Sequence, residues 1–142
     1  CGTGENEAKW KKQAEGLNNI LFTGWLGKSQ LSYLLDISDF GLACYSEGAP
    51  QGIPNKIIEY LSFNLPILSS LEGESKSLIE GKSLGFNYKS GDLQSFLNSL
   101  EKIMDKDLAI ELSKNCEETF ESSFSASKVY NEYVNFIETL VI

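Results

Sequence analysis

Apolar residues in this chain fall into short unbroken runs, separated by stretches where they recur every three or four positions. The runs are Asn19-Asn-Ile-Leu-Phe-Thr-Gly24, Phe40-Gly-Leu-Ala-Cys44, Leu65-Pro-Ile-Leu-Ser69 and Leu84 to Tyr88. Each is bounded by turn-forming residues and lacks strict alternation, which predicts buried strands. Between them, Ser29 to Ile37 carries Leu31, Leu34 and Leu35 at helical spacing. Asn6 to Gly16 is rich in helix formers, with Gly16 placed just past the helix end. Helices are also expected over Asn55 to Phe63, over Ser75 to Glu80, from an Asp92 cap to about Met104, over Asp107 to Phe120 and over Ala126 to Leu140.

Strands that alternate with helices and are continuously apolar predict a parallel sheet covered on both faces. The expected fold class is α/β, a doubly wound Rossmann-like domain spanning 1-142. At 142 residues the chain is one domain's worth, able to bury roughly two-thirds of the surface its unfolded form exposes. Ligands of such sheets collect outside the carboxyl ends of the strands. Gly2 to Glu5, Gly24 to Lys28, Tyr45 to Lys56 and Ser69 to Glu74 are therefore expected along one edge.

Charge and composition narrow the chemistry. Twelve basic and twenty acidic residues leave a formal charge of −8, which repels a phosphate backbone or an anionic membrane. Nucleic acid is not an expected partner. No stretch reaches the ~18 consecutive apolar residues of a membrane helix, and the start lacks the build of a signal peptide. The expectation is a soluble cytoplasmic chain. Cys1, Cys44 and Cys116 are odd in number and far apart, which fits neither a disulfide framework nor a metal cluster; all three read as reduced packing residues. The chain contains no histidine, so Ser-His and Cys-His triads are excluded within it. Any part it plays in catalysis rests on binding and orientation. It opens on Cys-Gly-Thr-Gly rather than Met, like the turn after a strand whose body is missing, and reads as a fragment.

The informative stretch runs from Tyr45 to Leu68, where a strand, a Gly-containing loop and a helix start follow in series. Backbone N–H groups of Gly52, Ile53 and Asn55 are expected to face out of the loop and first helical turn, where the helix dipole favours an anion; Pro54 gives up an N–H that would lack a partner. A diphosphate suits that position, and Lys56 is the cation beside it. Glu59, a turn further on, is better used to accept hydrogen bonds from the two hydroxyls of a ribose than to sit against phosphate. The same spacing also describes a plain i,i+3 surface pair between Lys56 and Glu59.

From Cys1 to about Gly91 the order of segments resembles the C-terminal Rossmann domain of the family 4 retaining GT-B glycosyltransferases, also called group 1 glycosyl transferases. The resemblance is carried by Cys-Gly-Thr-Gly, by Asn-Ile-Leu-Phe-Thr-Gly, by Leu-Leu-Asp-Ile-Ser-Asp-Phe-Gly-Leu and, most specifically, by Pro-Asn-Lys-Ile-Ile-Glu-Tyr-Leu-Ser-Phe-Asn-Leu-Pro-Ile-Leu. It implies a nucleoside-diphosphate sugar as donor, no metal or other cofactor, and a glycan or lipid-linked acceptor held by an N-terminal domain that precedes Cys1. The family's paired glutamates put the ribose contact at Glu59. Counting back by the family's spacing puts Gln51 at the catalytic position near the donor sugar, with Glu47 four residues earlier. Gln51 can hydrogen-bond a sugar hydroxyl but cannot stabilise positive charge at the anomeric carbon. Donor contacts are also implied at Gly2, Gly4, Gly24, Trp25 and Leu26, the last three bordering the base; Trp25 equally suits a cap on the core.

In the family the Arg and Lys that grip the diphosphate lie upstream, so this chain alone is not expected to turn over. The pathway implied is bacterial surface-polysaccharide or glycoconjugate synthesis, with the full enzyme at the inner membrane periphery. The absent first strand would stand mid-sheet in the usual order, and the exposed edges would invite pairing with another copy. Two other classes share this pattern. A flavodoxin-like or receiver-like signalling domain needs an acidic pair and a phosphorylatable Asp at a strand's carboxyl end, whereas Asp39 precedes its strand. A GT-B sugar-nucleotide epimerase uses a catalytic histidine.

Overall fold

The computed structural model describes residues 1–140, in two compact units, Cys1–Ile37 and the chain from Ser38 onward. The first unit holds α1 (Glu7–Gln13) and α2 (Lys28–Asp36). Helix α1 is shorter than its run of helix formers predicts, ending at Gln13 with Ala14 as its C-cap, and Gly16 with a φ of 84° lies in the turn beyond it. Gly27 precedes α2, and the Gln30 side chain accepts its N–H at 3.0 Å.

The strand expected over Asn19 to Gly24 does not form. Leu21 is 81% exposed, and among the described residues the Ile20–Phe22 backbone has no ladder partner. A strand exists only through hydrogen bonds to a neighbour, and an apolar run without one stays irregular.

The second unit contains β1 (Gly41–Ala43), α3 (Asn55–Ser62), β2 (Ile67–Ser69), α4 (Glu74–Gly81), β3 (Gly85–Asn87), α5 (Leu93–Ile103), α6 (Lys106–Thr119), a π turn (Phe120–Phe124) and α7 (Ala126–Leu140). The three strands form one parallel sheet in the order β1-β2-β3, with Gly41 opposite Ile67 and Leu68 opposite Phe86. Successive β2 side chains go to opposite faces, and both faces are covered. Ile67 packs with Ile57 and Leu61 of α3, Ile79 of α4 and Cys116 of α6. Leu68 packs with Ile103 of α5, Leu112 of α6 and the half-buried Phe86, Phe96 and Leu100. This is the doubly wound α/β arrangement the pattern predicts. Full burial of each large aliphatic side chain contributes about 1.5–3 kcal/mol, which concentrates stability on β2.

Helix starts follow local chemistry. Asp92 Oδ1 accepts the Ser95 N–H at 2.9 Å to open α5, and Asp105 Oδ1 accepts the Leu108 N–H at 3.0 Å to open α6. Such caps are worth about 1 kcal/mol each. Pro54 stands at the N-cap of α3, so Asn55 is its first helical residue, as expected. No helix among the described residues is long and apolar enough to cross a membrane. All three cysteines are free, but only Cys116 is a packing residue: Cys1 and Cys44 are exposed, the latter accepting a hydrogen bond from the Tyr88 hydroxyl at 3.0 Å.

Candidate functional site

The loop from the end of β1 to the start of α3 is held at both ends by serines, Ser70 and Ser75 buried and Ser90 half-buried. Ser70, just after β2, accepts the Tyr45 N–H at 2.7 Å and donates its hydroxyl to the Tyr45 carbonyl at 2.9 Å. Ser90, after β3, donates to the same carbonyl at 2.9 Å. At the far end the Ser75 hydroxyl, in the first turn of α4, donates to the Gly52 carbonyl. Gly52 lies beside the exposed Glu74 side chain: a Cβ there would lie 2.6 Å from Glu74 Oε2, a contact the flexible carboxylate can relieve.

Between these anchors lies an open cleft of ≈ 520 Å³ at the carboxyl ends of the strands. Glu47, Gln51, Glu72, Glu74 and Lys89 supply its long polar side chains. Glu72 is partly neutralised by Lys76, 3.1 Å away. Among the described residues no three acidic or other metal-binding side chains converge on a common point. The carboxylates therefore line the cleft separately, and Glu47 and Glu74 can accept hydrogen bonds from hydroxyl groups while Glu72 is engaged by Lys76. Glu47, four residues before Gln51 in sequence, faces the same cleft.

Beyond Gly52 the chain enters α3. Among the described residues the N–H groups of Ile53, Asn55 and Lys56 have no backbone partner, the normal state of a helix's first turn. The Ile53 side chain packs on the core beside Ile57 and Leu61. Lys56 does not pair with Glu59; its ammonium sits 5.4 Å from the centre of the Tyr45 ring. Glu59 is exposed, not walled off by the core, and among the described residues it has no ion-pair partner. Next to it, the Tyr60 hydroxyl donates to the Leu42 carbonyl at 3.1 Å and is pushed up to about 12, first by burial and then by Cys44, Glu59 and Tyr45.

The first unit carries the remaining candidates. Gly2 and Gly4 line a cleft of ≈ 440 Å³ with Trp10 and Phe22, and the Gly2 N–H donates to the Gly24 carbonyl at 2.6 Å. Leu26 is half-buried, while Trp25 is 81% exposed. Trp25 is thus no cap on the core, which leaves a full indole face open.

A family model described as "Glycosyl transferases group 1" matches residues 1–106, from the glycine turn through α5. The chain belongs to the group 1 glycosyl transferases. Two curated Escherichia coli relatives align over nearly its whole length. A UDP-Gal:alpha-D-GlcNAc-diphosphoundecaprenol alpha-1,3-galactosyltransferase is 27% identical over 96% of this chain and 36% of its own length. An O-antigen chain mannosyltransferase C is 26% identical over 99% of this chain and 38% of its own length. The chain thus spans little more than a third of the length of these relatives.

For this group 1 domain, several residues that build the site carry no signal in the sequence. Ser70, Ser75 and Ser90 reach carbonyls or amides 25, 23 and 45 residues away, and no local spacing reports such contacts. Lys89 and Ser90 follow β3, and extending the rule that ligands lie beyond strand carboxyl ends to that strand would have found them.

Proposed function

We propose that this chain is the donor-binding domain of a retaining GT-B glycosyltransferase, which moves a sugar from a nucleoside-diphosphate sugar to a glycan or lipid-linked acceptor in bacterial surface-polysaccharide or glycoconjugate synthesis. One observation carries the reading. Along a single loop and helix come a cleft lined by hydroxyl-binding side chains, a set of unpaired N–H groups at a helix start and, a turn later, the exposed carboxylate of Glu59. A sugar, a diphosphate and a ribose follow one another in the same succession. The N–H groups and Lys56 meet the diphosphate charge with no metal. Glu59 accepts the ribose hydroxyls, and Gln51 and Glu47 bind the sugar.

The cleft favours a neutral sugar, because Glu47 and Glu74 would repel a uronate. The galactosyl and mannosyl transfers named for the two relatives agree with that class. Acceptor binding, and the cations that complete the grip on the diphosphate, belong to the rest of the enzyme, so the isolated chain binds without turning over.

Isothermal titration with UDP, GDP and ADP tests this reading. One of the three is expected to bind weakly, and Glu59→Ala is expected to weaken it about tenfold, the loss of hydrogen bonds to a charged acceptor. Binding by none of them, or binding indifferent to Glu59→Ala, rejects the reading.

A further inference from the structure

We infer that Ser75 is a positioning residue for the donor: by holding the Gly52 carbonyl it aims the Ile53 N–H at the diphosphate. The inference rests on the donor-binding reading above, and nothing in the sequence around Ser75 suggests it. Ser75 is completely buried, with a relative exposure of 0%, and its hydroxyl donates to Gly52, 23 residues earlier in the chain. The Gly52–Ile53 peptide is trans, as are all the described peptide bonds. In a trans peptide the carbonyl and the following N–H point in opposite directions across one rigid plane. Fixing the carbonyl inward on a buried hydroxyl therefore turns the Ile53 N–H outward, away from the core.

One further contact supports this orientation. The half-buried Ile53 side chain is packed against the core cluster, which restrains the residue. Among the described residues the Ile53 N–H has no partner of its own. A donor held outward and unpaired is suited to an anion at the start of α3, where the Asn55 and Lys56 N–H groups are also unpaired. Without the Ser75 hydroxyl the Gly52 carbonyl loses its buried partner, and the Gly52–Ile53 peptide is held less firmly. A bound diphosphate would then have to order it, at a cost in affinity.

The test is amide NMR on the ¹⁵N-labelled chain, titrated with UDP, GDP and ADP and with uridine, guanosine and adenosine as phosphate-free probes. In the unsubstituted chain the Ile53 amide is expected to shift with the diphosphate that binds and to stay still with its nucleoside. Ser75→Ala is expected to weaken the diphosphate about tenfold, while leaving the nucleoside affinity unchanged. Ser75→Thr, which restores a hydroxyl, is expected to recover most of the loss. A purely structural role for Ser75 would weaken both probes equally and would overturn the inference, as would an Ile53 amide that stays still while a diphosphate binds elsewhere. The Ile53 readout needs no variant, so it can still overturn the inference if Ser75→Ala unfolds. A chain that binds none of the six probes fails at the donor-binding reading instead, and the inference falls with it.

Discussion

Ile20-Leu-Phe22 and Ile67-Leu68-Ser69 look alike as sequence, yet they end in opposite states. Each lies just after an asparagine, Asn19 or Asn64, and each opens on Ile-Leu without alternation. In the structure Leu21 is 81% exposed and Leu68 is completely buried. The difference is pairing. The Ile67 N–H donates to the Leu84 carbonyl at 2.9 Å, the Pro66 carbonyl accepts from Gly41 at 2.8 Å, and the Ser69 carbonyl accepts from Tyr88 at 2.9 Å. Among the described residues Ile20–Phe22 has none of these. An apolar run thus states a demand for burial, while the strand itself is a property of two or three segments together.

The sharpest way to break this contrast is to remove a pairing without touching the apolar runs. Gly85 sits opposite Ile67 with φ 153°, and a Cβ there would come within 1.9 Å of the Ile67 carbonyl oxygen. No rotamer relieves a clash with backbone, so Gly85→Ala must part β2 from β3. It is expected to cost about 4 kcal/mol or more, which places it among exceptional substitutions. Gly24→Ala has open space around it and only its φ of 66° to contend with; about 1–2 kcal/mol is expected. Urea unfolding of the two variants measures the difference, and equal costs would mean that β2–β3 pairing is not what fixes the second unit.

A smaller effect separates the runs themselves. Leu68→Ala removes a core side chain packed by Ile103 and Leu112 and is expected to cost about 3 kcal/mol. Leu21→Ala touches exposed surface and is expected to stay within about 0.5 kcal/mol. Hydrogen exchange gives the same comparison residue by residue, with slow amides at Ile67 and Tyr88 and fast ones at Leu21 and Phe22. Protection at Leu21 matching that at Ile67 would show that the first run has found a partner.

The contrast also explains which parts of the molecule were legible beforehand. Elements whose signal is local were placed to within a residue or two: the Asp92 cap, α3 from Asn55, and α7 from Ala126 to Leu140. The Gln51–Glu59 segment was legible for the same reason, since loop, proline and helix stand in series. What could not be read is non-local. The serines that fix the loop work through contacts across the sheet, and a serine is too common a residue to advertise them. Parity and spacing of the cysteines correctly indicated free thiols, yet they said nothing of which one lies inside, because burial of Cys116 is decided by how α6 crosses β2 and β3.

That thiol provides the last and smallest test of the paired region. Cys116 lies 3.5 Å from the Leu65 carbonyl oxygen and 3.6 Å from that of Leu84, the residues leading into β2 and β3. Burial raises it from its ordinary 9.0 to about 12. In the fold it stays protonated through the range where the unfolded chain's thiol ionises. The unfolded state therefore binds fewer protons, and stability falls as pH rises. The contribution is intact below pH 9.0 and is lost progressively up to about 12, a window that Tyr60, raised from 10.0 to about 12 by burial, shares in its upper part. Urea midpoints between neutral pH and pH 10.5 should decline, and the decline should be shallower in Cys116→Ala than in the parent chain. Labelling with a thiol-reactive dye at pH 8 gives the companion result, with Cys1 and Cys44 reacting at once and Cys116 only as fast as the sheet opens. A third thiol that labels as quickly as the exposed pair would mean that β2 and β3 part readily, and the difference between the two apolar runs would then be one of degree.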